Sequence, residues 1–258
     1  MQYGVSTACF YPEETAASLQ RLQRAGIKTV ELFLNTFREL EPAYLARLEG
    51  ILQAGDMCAA ALHPFTSALE TFLFAADYPT RLEDGLKFYE QYFSACRRLG
   101  IPRAVFHGMS AERAYPLQRY CDHYLRLREL ARRYDVDFLH ENVVRCFCGR
   151  PEHILEMRRC TREDIGFVLD VKQMRRSGVS LSEMLDAMGP RIRHIHLSDF
   201  TEQCDCTVPG TGREDFSALS RHLHRIDYSG AIIIELYREG FDTMNDLLAG
   251  LRRIETLF

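Results

Sequence analysis

At 258 residues, 47% of them hydrophobic, the chain is long enough for one large domain and apolar enough to bury a core. A formal net charge of −4, with basic runs no longer than pairs such as Arg97-Arg98, argues against a nucleic-acid partner. No apolar run reaches the length of a membrane span, no secretory pattern opens the sequence, and nine scattered cysteines fit a reducing, cytoplasmic setting better than a disulfide framework.

Short apolar runs alternate with amphipathic ones. Tyr3–Thr7 reads as a strand, followed by a helix over Thr15–Ala25 that stops at Gly26. Thr29–Phe33 is a second strand, Pro42–Ala54 a helix closed by Gly55, and Cys58–His63 a third strand. The connection from Pro64 to Thr80 is long and carries Phe65, Phe72, Phe74 and Tyr78, so a lid that closes Phe65 or Phe72 over a ligand is expected there. Thr80-Arg-Leu-Glu83 has the spacing of a capping box and opens a helix that runs to Leu99 and Gly100. Strand four is Arg103–His107, with a long helix after it through Tyr134; Asp137–Glu141 is strand five, with a helix from Pro151 to about Arg159. Ile165–Asp170 is strand six, Ser180-Leu-Ser-Glu183 a second capping box, and Gly189-Pro190 a stop. Ile192–Ser198, a helix near Phe216–Arg225, Ala231–Glu235 and a helix over Asp242–Thr256 complete the pattern. Eight strand–helix pairs with no linker between them predict an α/β fold, a single-domain (β/α)8 TIM barrel over residues 1–258.

Four consecutive predicted strands end on a polar residue: Glu141, Asp170, His196 and Glu235, each about one strand–helix unit after the last. In such a barrel these ends converge at the top. Three carboxylates buried together repel one another and take up protons unless a cation neutralises them. With one imidazole they suit one divalent ion: Mn²⁺, Mg²⁺, Co²⁺ or Zn²⁺. Taken singly, Asp170 or Glu235 could equally be a helix cap or an ion-pair partner. His194 shares the face of His196 one layer lower and reads as an orienting group, whereas His140 alternates with Glu141 and faces the helices.

Leu139-His-Glu-Asn142, Leu169-Asp-Val-Lys-Gln173, His194-Ile-His-Leu-Ser-Asp199, Pro209-Gly-Thr-Gly212 and Ile234-Glu235 together resemble the sugar phosphate isomerase/epimerase superfamily of xylose isomerase-like barrels. The resemblance implies that Glu141, Asp170, His196 and Glu235 are the metal ligands. Gln173 stands where that superfamily often has His, and Phe200–Val208 lacks the Arg usual in its epimerase branch. The more distant endonuclease IV branch wants His at position 173 and an Asp-x-His pair after strand seven, neither of which is present, so DNA repair is not expected. His63 and His107, at the ends of strands three and four, and Gln173 are candidate substrate-hydroxyl partners. Arg145 and Arg213, in predicted top loops, are candidates for holding an anionic group, or else solvated surface residues. Cys146/Cys148 and Cys204/Cys206 lack the spacing of structural zinc sites and read as ordinary loop thiols.

The expected activity is isomerisation or epimerisation of a small sugar, sugar phosphate or related polyhydroxy ketone. Glu141 and Glu235 exchange protons on either side of a metal-stabilised enediolate. A dehydratase of the inosose or dehydroshikimate type, or a non-catalytic sugar-binding barrel, are the alternatives; homo-oligomerisation stays open.

Overall fold

A computed structural model describes all 258 residues. Strands β1 (Gln2–Ser6), β2 (Thr29–Phe33), β3 (Cys58–His63), β4 (Arg103–Phe106), β5 (Asp137–Glu141), β6 (Phe167–Asp170), β7 (Ile192–Leu197) and β8 (Ala231–Ile234) pair in parallel and in chain order, and β8 closes on β1. Around them lie α1 (Thr15–Arg24), α2 (Pro42–Gly55), α3 (Ser67–Phe74), α4 (Pro79–Leu99), α5 (Leu117–Arg132), α6 (Pro151–Thr161), α7 (Val171–Arg176), α8 (Leu181–Met188), α9 (Ser217–Arg225) and α10 (Met244–Leu257). The fold is the TIM barrel that the alternation predicts.

Alternation along each strand sorts the barrel into layers. Outward residues such as Phe106, Phe138 and Phe167 join the helices in one large core. Inward residues Ala61, Val105, Leu139 and Val168 form a small apolar cluster of their own. Two positions further along the same strands stand His63, His107, Glu141 and Asp170, all buried. On these four strands the barrel is therefore apolar in its waist and ionisable at its top. Asp170 lies opposite His196 in the β6–β7 register, which brings these two ends side by side.

Two loop devices fix the strand ends. Asn142 spans β5 and β6: its side-chain oxygen accepts from Asp170 N at 2.7 Å and its amide donates to Asp170 O at 2.9 Å. After β7, buried Asp199 accepts four backbone N–H groups, from Phe200, Gly210, Gly212 and Glu214, at 2.8–2.9 Å. This is the physical content of the Pro209-Gly-Thr-Gly212 motif. Gly210 has φ +78°, and a Cβ on Gly212 would meet Phe200 O at 2.1 Å.

Three expectations need correction. The Ser180–Glu183 capping box forms, with Ser180 accepting from Glu183 N, but the one at Thr80 does not. Helix α4 begins one residue earlier at Pro79, which needs no cap for a missing N–H, so Thr80 falls inside the first turn. Gln173 and its neighbours form the short helix α7, which was not expected.

The third correction concerns the segment from Pro64 to Thr80, which is no open lid. It contains α3, its residues from Glu70 to Ala76 are tied down, and Phe65 packs edge-on against Phe37. Phe74 is fully buried, Thr71 Oγ1 accepts from Ser110 N at 2.7 Å, and Arg113 and Tyr115 donate to the carbonyls of Ala75 and Ala76. Glu70, 0% exposed, accepts from Tyr89 Oη at 2.6 Å and from Gly108 N at 2.5 Å. Exposed Phe72 lies under the Arg81 guanidinium at 3.7 Å instead of over the barrel mouth. Glu70→Ala leaves two buried donors without an acceptor, at about 1–3 kcal/mol each. The expected result is a clearly lowered Tm and faster proteolysis within residues 64–80; an unchanged melt would show that Glu70 does not anchor the segment.

Candidate metal centre and substrate cavity

Each functional side chain is placed by the end of a different strand. Glu141 is the last residue of β5 and Asp170 the last of β6, His196 is the penultimate residue of β7, and Glu235 follows β8 directly. All four are buried, and each offers one ligand atom so that the four atoms lie within 4.8 Å of one another. His196 Nδ1 sits centrally, 3.0 Å from Glu141 Oε1, 3.3 Å from Glu235 Oε2 and 3.9 Å from Asp170 Oδ2.

Beneath this group lies a carboxylate that the strand-end pattern does not reveal. Glu31, on β2 and 0% exposed, receives His196 Nε2 at 2.9 Å and His194 Nε2 at 2.7 Å. With Nε2–H donated to Glu31, Nδ1 is the nitrogen of His196 that faces the other three carboxylates, and the one that would offer a lone pair once its proton has left. His194 thus supports the site from below, and His140, bonded to Tyr120 Oη at 2.8 Å, stays on the helix side.

Asp170 does two things at once. Its Oδ1 caps α7 by accepting from Gln173 N at 2.8 Å, while Oδ2 is buried without a hydrogen-bond donor. Glu141 Oε2 is likewise buried without one, although His107 Nε2 lies 3.1 Å and His63 Nε2 3.7 Å away. Asp170 Oδ2, which faces His196 Nδ1, is a buried carboxylate oxygen of the kind a cation would satisfy. Three carboxylates and an imidazole form a donor set suited to a divalent ion, so the residues present fit one.

A cavity of about 320 Å³ opens above the cluster, lined in part by Glu141, Glu235, His63, His107 and Gln173. Phe33, stacked on His63 with ring centroids 4.5 Å apart, and Tyr237 add apolar wall. Asp170 and His196, each 1% exposed, do not line it and are buried beside Glu141 and Glu235. Of the candidate substrate partners, the structure brings His63, His107 and Gln173 to the cavity and leaves both arginines out. Arg145 is exposed, because its loop pairs back on the β4 exit through Ala111 N to Arg145 O. Arg213 is spent on Glu202 at 2.7 Å, with both side chains more than 60% exposed. One cation that the sequence reading passed over is present instead: Lys172, buried, with Nζ 3.5 Å from Asp170 Oδ2 and 3.4 Å from Glu235 Oε2. Glu70 also reaches the site, 3.7 Å from His107 Nδ1. No cysteine belongs to a cluster of potential metal ligands, and all nine are free.

The electrostatics follow from crowding. Burial alone would strip His196 of its proton, but Glu235, Glu31 and Glu141 outweigh it and raise its pKa well above the usual imidazole range. His107 is likewise raised, to about 10: burial opposes the charge, and Glu141 and Glu70 override it. Burial alone would raise Glu141, yet the imidazoles of His107, His196 and His63 pull it well below the usual carboxylate range. Asp170 is pushed up to about 6, by burial first, with the pull of Lys172 opposed by Glu141 and Glu235.

The profile of the xylose isomerase-like TIM barrel family matches residues 19–257. The chain belongs to that family. None of the curated proteins matches it by sequence. Solved structures similar to it include a D-tagatose 3-epimerase-like protein, 17% identical with TM-score 0.82, the match covering 100% of this chain and 97% of that one. D-psicose 3-epimerase from Clostridium cellulolyticum H10 is 13% identical with TM-score 0.82, over 100% of this chain and 99% of its own. A probable 3-DHS dehydratase from Bacillus anthracis is 14% identical with TM-score 0.75, over 99% of each chain. At these identities the likeness is one of fold. No helix is long and apolar enough to cross a membrane.

A cation that takes the Nδ1 lone pair must expel the proton held there, so binding releases protons and strengthens as pH rises. Below about pH 6 protonation of Asp170 opposes it further. Calorimetry of Mn²⁺ binding at pH 7, in buffers of different ionisation enthalpy, is expected to show release of about one proton per site. Affinity should fall as pH drops through 6; binding without proton release, at an affinity independent of pH, would contradict this assignment.

Proposed function

We propose that this protein is a divalent-metal-dependent isomerase or epimerase of a small sugar or related polyhydroxy ketone. The observation that carries the reading is the pair Glu141 and Glu235. They reach one cavity from β5 and β8, on different sides of the barrel, with ligand atoms in the same 4.8 Å group. Glu141, Asp170, His196 and Glu235 would hold the ion, which when bound polarises a substrate carbonyl and stabilises negative charge on its oxygen.

The chain's own groups then divide the work. One glutamate removes the proton from the carbon beside the carbonyl, and the other returns a proton to the opposite face, inverting that centre. Return of the proton to the neighbouring carbon gives isomerisation instead. His107 and His63, packed on Glu141, orient its carboxylate and present ring edges to substrate hydroxyls. Gln173 lines the same wall, its Oε1 held by Val144 N at 3.2 Å, which leaves the amide N–H₂ for a substrate oxygen. Phe33, Leu236 and Tyr237 keep water from the reacting carbon. With Arg145 and Arg213 outside the cavity, neither is available to anchor a phosphate.

One observation favours a second reading. Lys172 is paired with Glu235 and not with Glu141, which sets the two carboxylates apart and suits a one-base dehydratase in which only Glu141 abstracts a proton.

Proton NMR of a panel of ketoses in deuterated water distinguishes the outcomes, because inversion, aldehyde–ketone exchange and water loss leave different spectra. For the two-base reaction, Glu141→Gln and Glu235→Gln each lose at least about 10²-fold in turnover. Each keeps deuterium exchange only on the face served by the surviving glutamate. Normal turnover in either variant with its ion in place would rule out two bases. Sugar binding with neither turnover nor exchange would leave a binding protein.

A further inference from the structure

Lys172 enters the site through its place in the fold. It stands in the first turn of α7, where side chains tilt back toward the helix N-terminus, here the end of β6. The ammonium is thereby folded over Asp170 and Glu235, and the residue is 4% exposed. The two oxygens it approaches, Asp170 Oδ2 at 3.5 Å and Glu235 Oε2 at 3.4 Å, are also the ones that face His196 Nδ1. A divalent ion and the Lys172 ammonium thus claim the same two oxygens. A second resting place adjoins the first: Nζ lies 4.7 Å from the centre of the Tyr237 ring, and both residues line the cavity. Lys172 is also the one Lys or Arg in that lining.

We propose that Lys172 is a built-in cation of the site. It holds Asp170 and Glu235 together until a divalent ion arrives, then yields these oxygens and turns its ammonium along Tyr237 into the cavity, where it donates to a substrate oxygen. The proposal rests on the metal reading of the four-residue cluster. Before loading, the ammonium limits repulsion between the carboxylates and keeps their geometry. During loading it opposes the ion, because two cations cannot share a few ångströms without cost. After loading, three carboxylates, one dication and one ammonium sum to zero, so the ammonium is not expelled to solvent.

The test is a Mn²⁺ titration of the full chain, wild type against Lys172→Met and Lys172→Gln, with melting curves taken with and without Mn²⁺. Removal of the competing charge should tighten Mn²⁺ binding about tenfold or more in both variants. It should also lower the melting temperature without Mn²⁺ and restore it with Mn²⁺. A variant that folds only when Mn²⁺ is present gives the same answer, and Lys172→Gln, which keeps a polar head, covers a failure of Lys172→Met to fold at all. A crystal structure of the Mn²⁺-loaded wild type should place Nζ beyond 4 Å from both oxygens. If the wild type binds Mn²⁺ and both variants bind it equally or more weakly, Lys172 does not compete and the proposal fails while the metal reading stands. If wild type and variants alike bind none, both fall together.

Discussion

The structure turns on a cost that its own fold creates. Glu141, Asp170 and Glu235 are brought by three different strands into one buried space at the top of the barrel, with Glu31 buried beneath them on a fourth. Like charges about 4 Å apart repel by roughly 4 kcal/mol per pair at an effective dielectric near 20, and burial adds to that. Such a group persists only with positive charge among its members. The imidazoles of His196 and His107 and the ammonium of Lys172 supply part of it. The balance they strike is incomplete: Asp170 is still pushed up to about 6, and its Oδ2 makes no hydrogen bond. A buried acidic group left short of positive charge in this way could hold a cation, which is the basis of the proposed function.

Much of the surrounding architecture serves to hold that arrangement still. Asn142 ties the end of β5 to the end of β6, so Glu141 and Asp170 keep a fixed relation. Asp199 gathers the loop after β7 by four amide bonds, close behind His196 in the chain. Glu31 fixes which nitrogen of His196 faces the cluster, and Glu70 anchors α3 behind His107. None of these residues lines the cavity; each holds in place a group that does, or a strand end beside it. Below the cluster, Ala61, Val105, Leu139 and Val168 fill the barrel on β3–β6, and the buried Glu31–His194 pair stands beside them.

The barrel was legible in the sequence because its strands are buried on both faces and its helices are punctuated by Gly26, Gly55, Gly100 and Pro190. Glu141, Asp170, His196 and Glu235 were legible for a related reason: a charged residue at the end of an apolar run stands out, and four in a row set a pattern. Glu31 carried a comparable signal, a glutamate inside the apolar run Thr-Val-Glu-Leu-Phe, but it stands in mid-strand and a search of strand ends passes over it. Lys172 gave none, since a lysine at the start of a helix is usually solvated and only the backward tilt of α7 over β6 buries it. Glu70 was hidden with its helix. Ser67–Phe74 is eight residues long, without a capping side chain and with aromatics on more than one side, so nothing in its pattern separates it from a loop. Arg145 and Arg213 mark the opposite error, for a top loop of a barrel fixes a residue's height and leaves its direction to local pairing.

As proposed, Glu141, Asp170, His196 and Glu235 together hold a single divalent ion. Elemental analysis of protein stripped with chelator, reloaded with Mn²⁺ and freed of excess by gel filtration tests this most directly, in the wild type and in Asp170→Ala. One Mn²⁺ per chain in the wild type and nearly none in a still-folded Asp170→Ala is the predicted result. No retained metal in the wild type, or equal retention in both proteins, would contradict it.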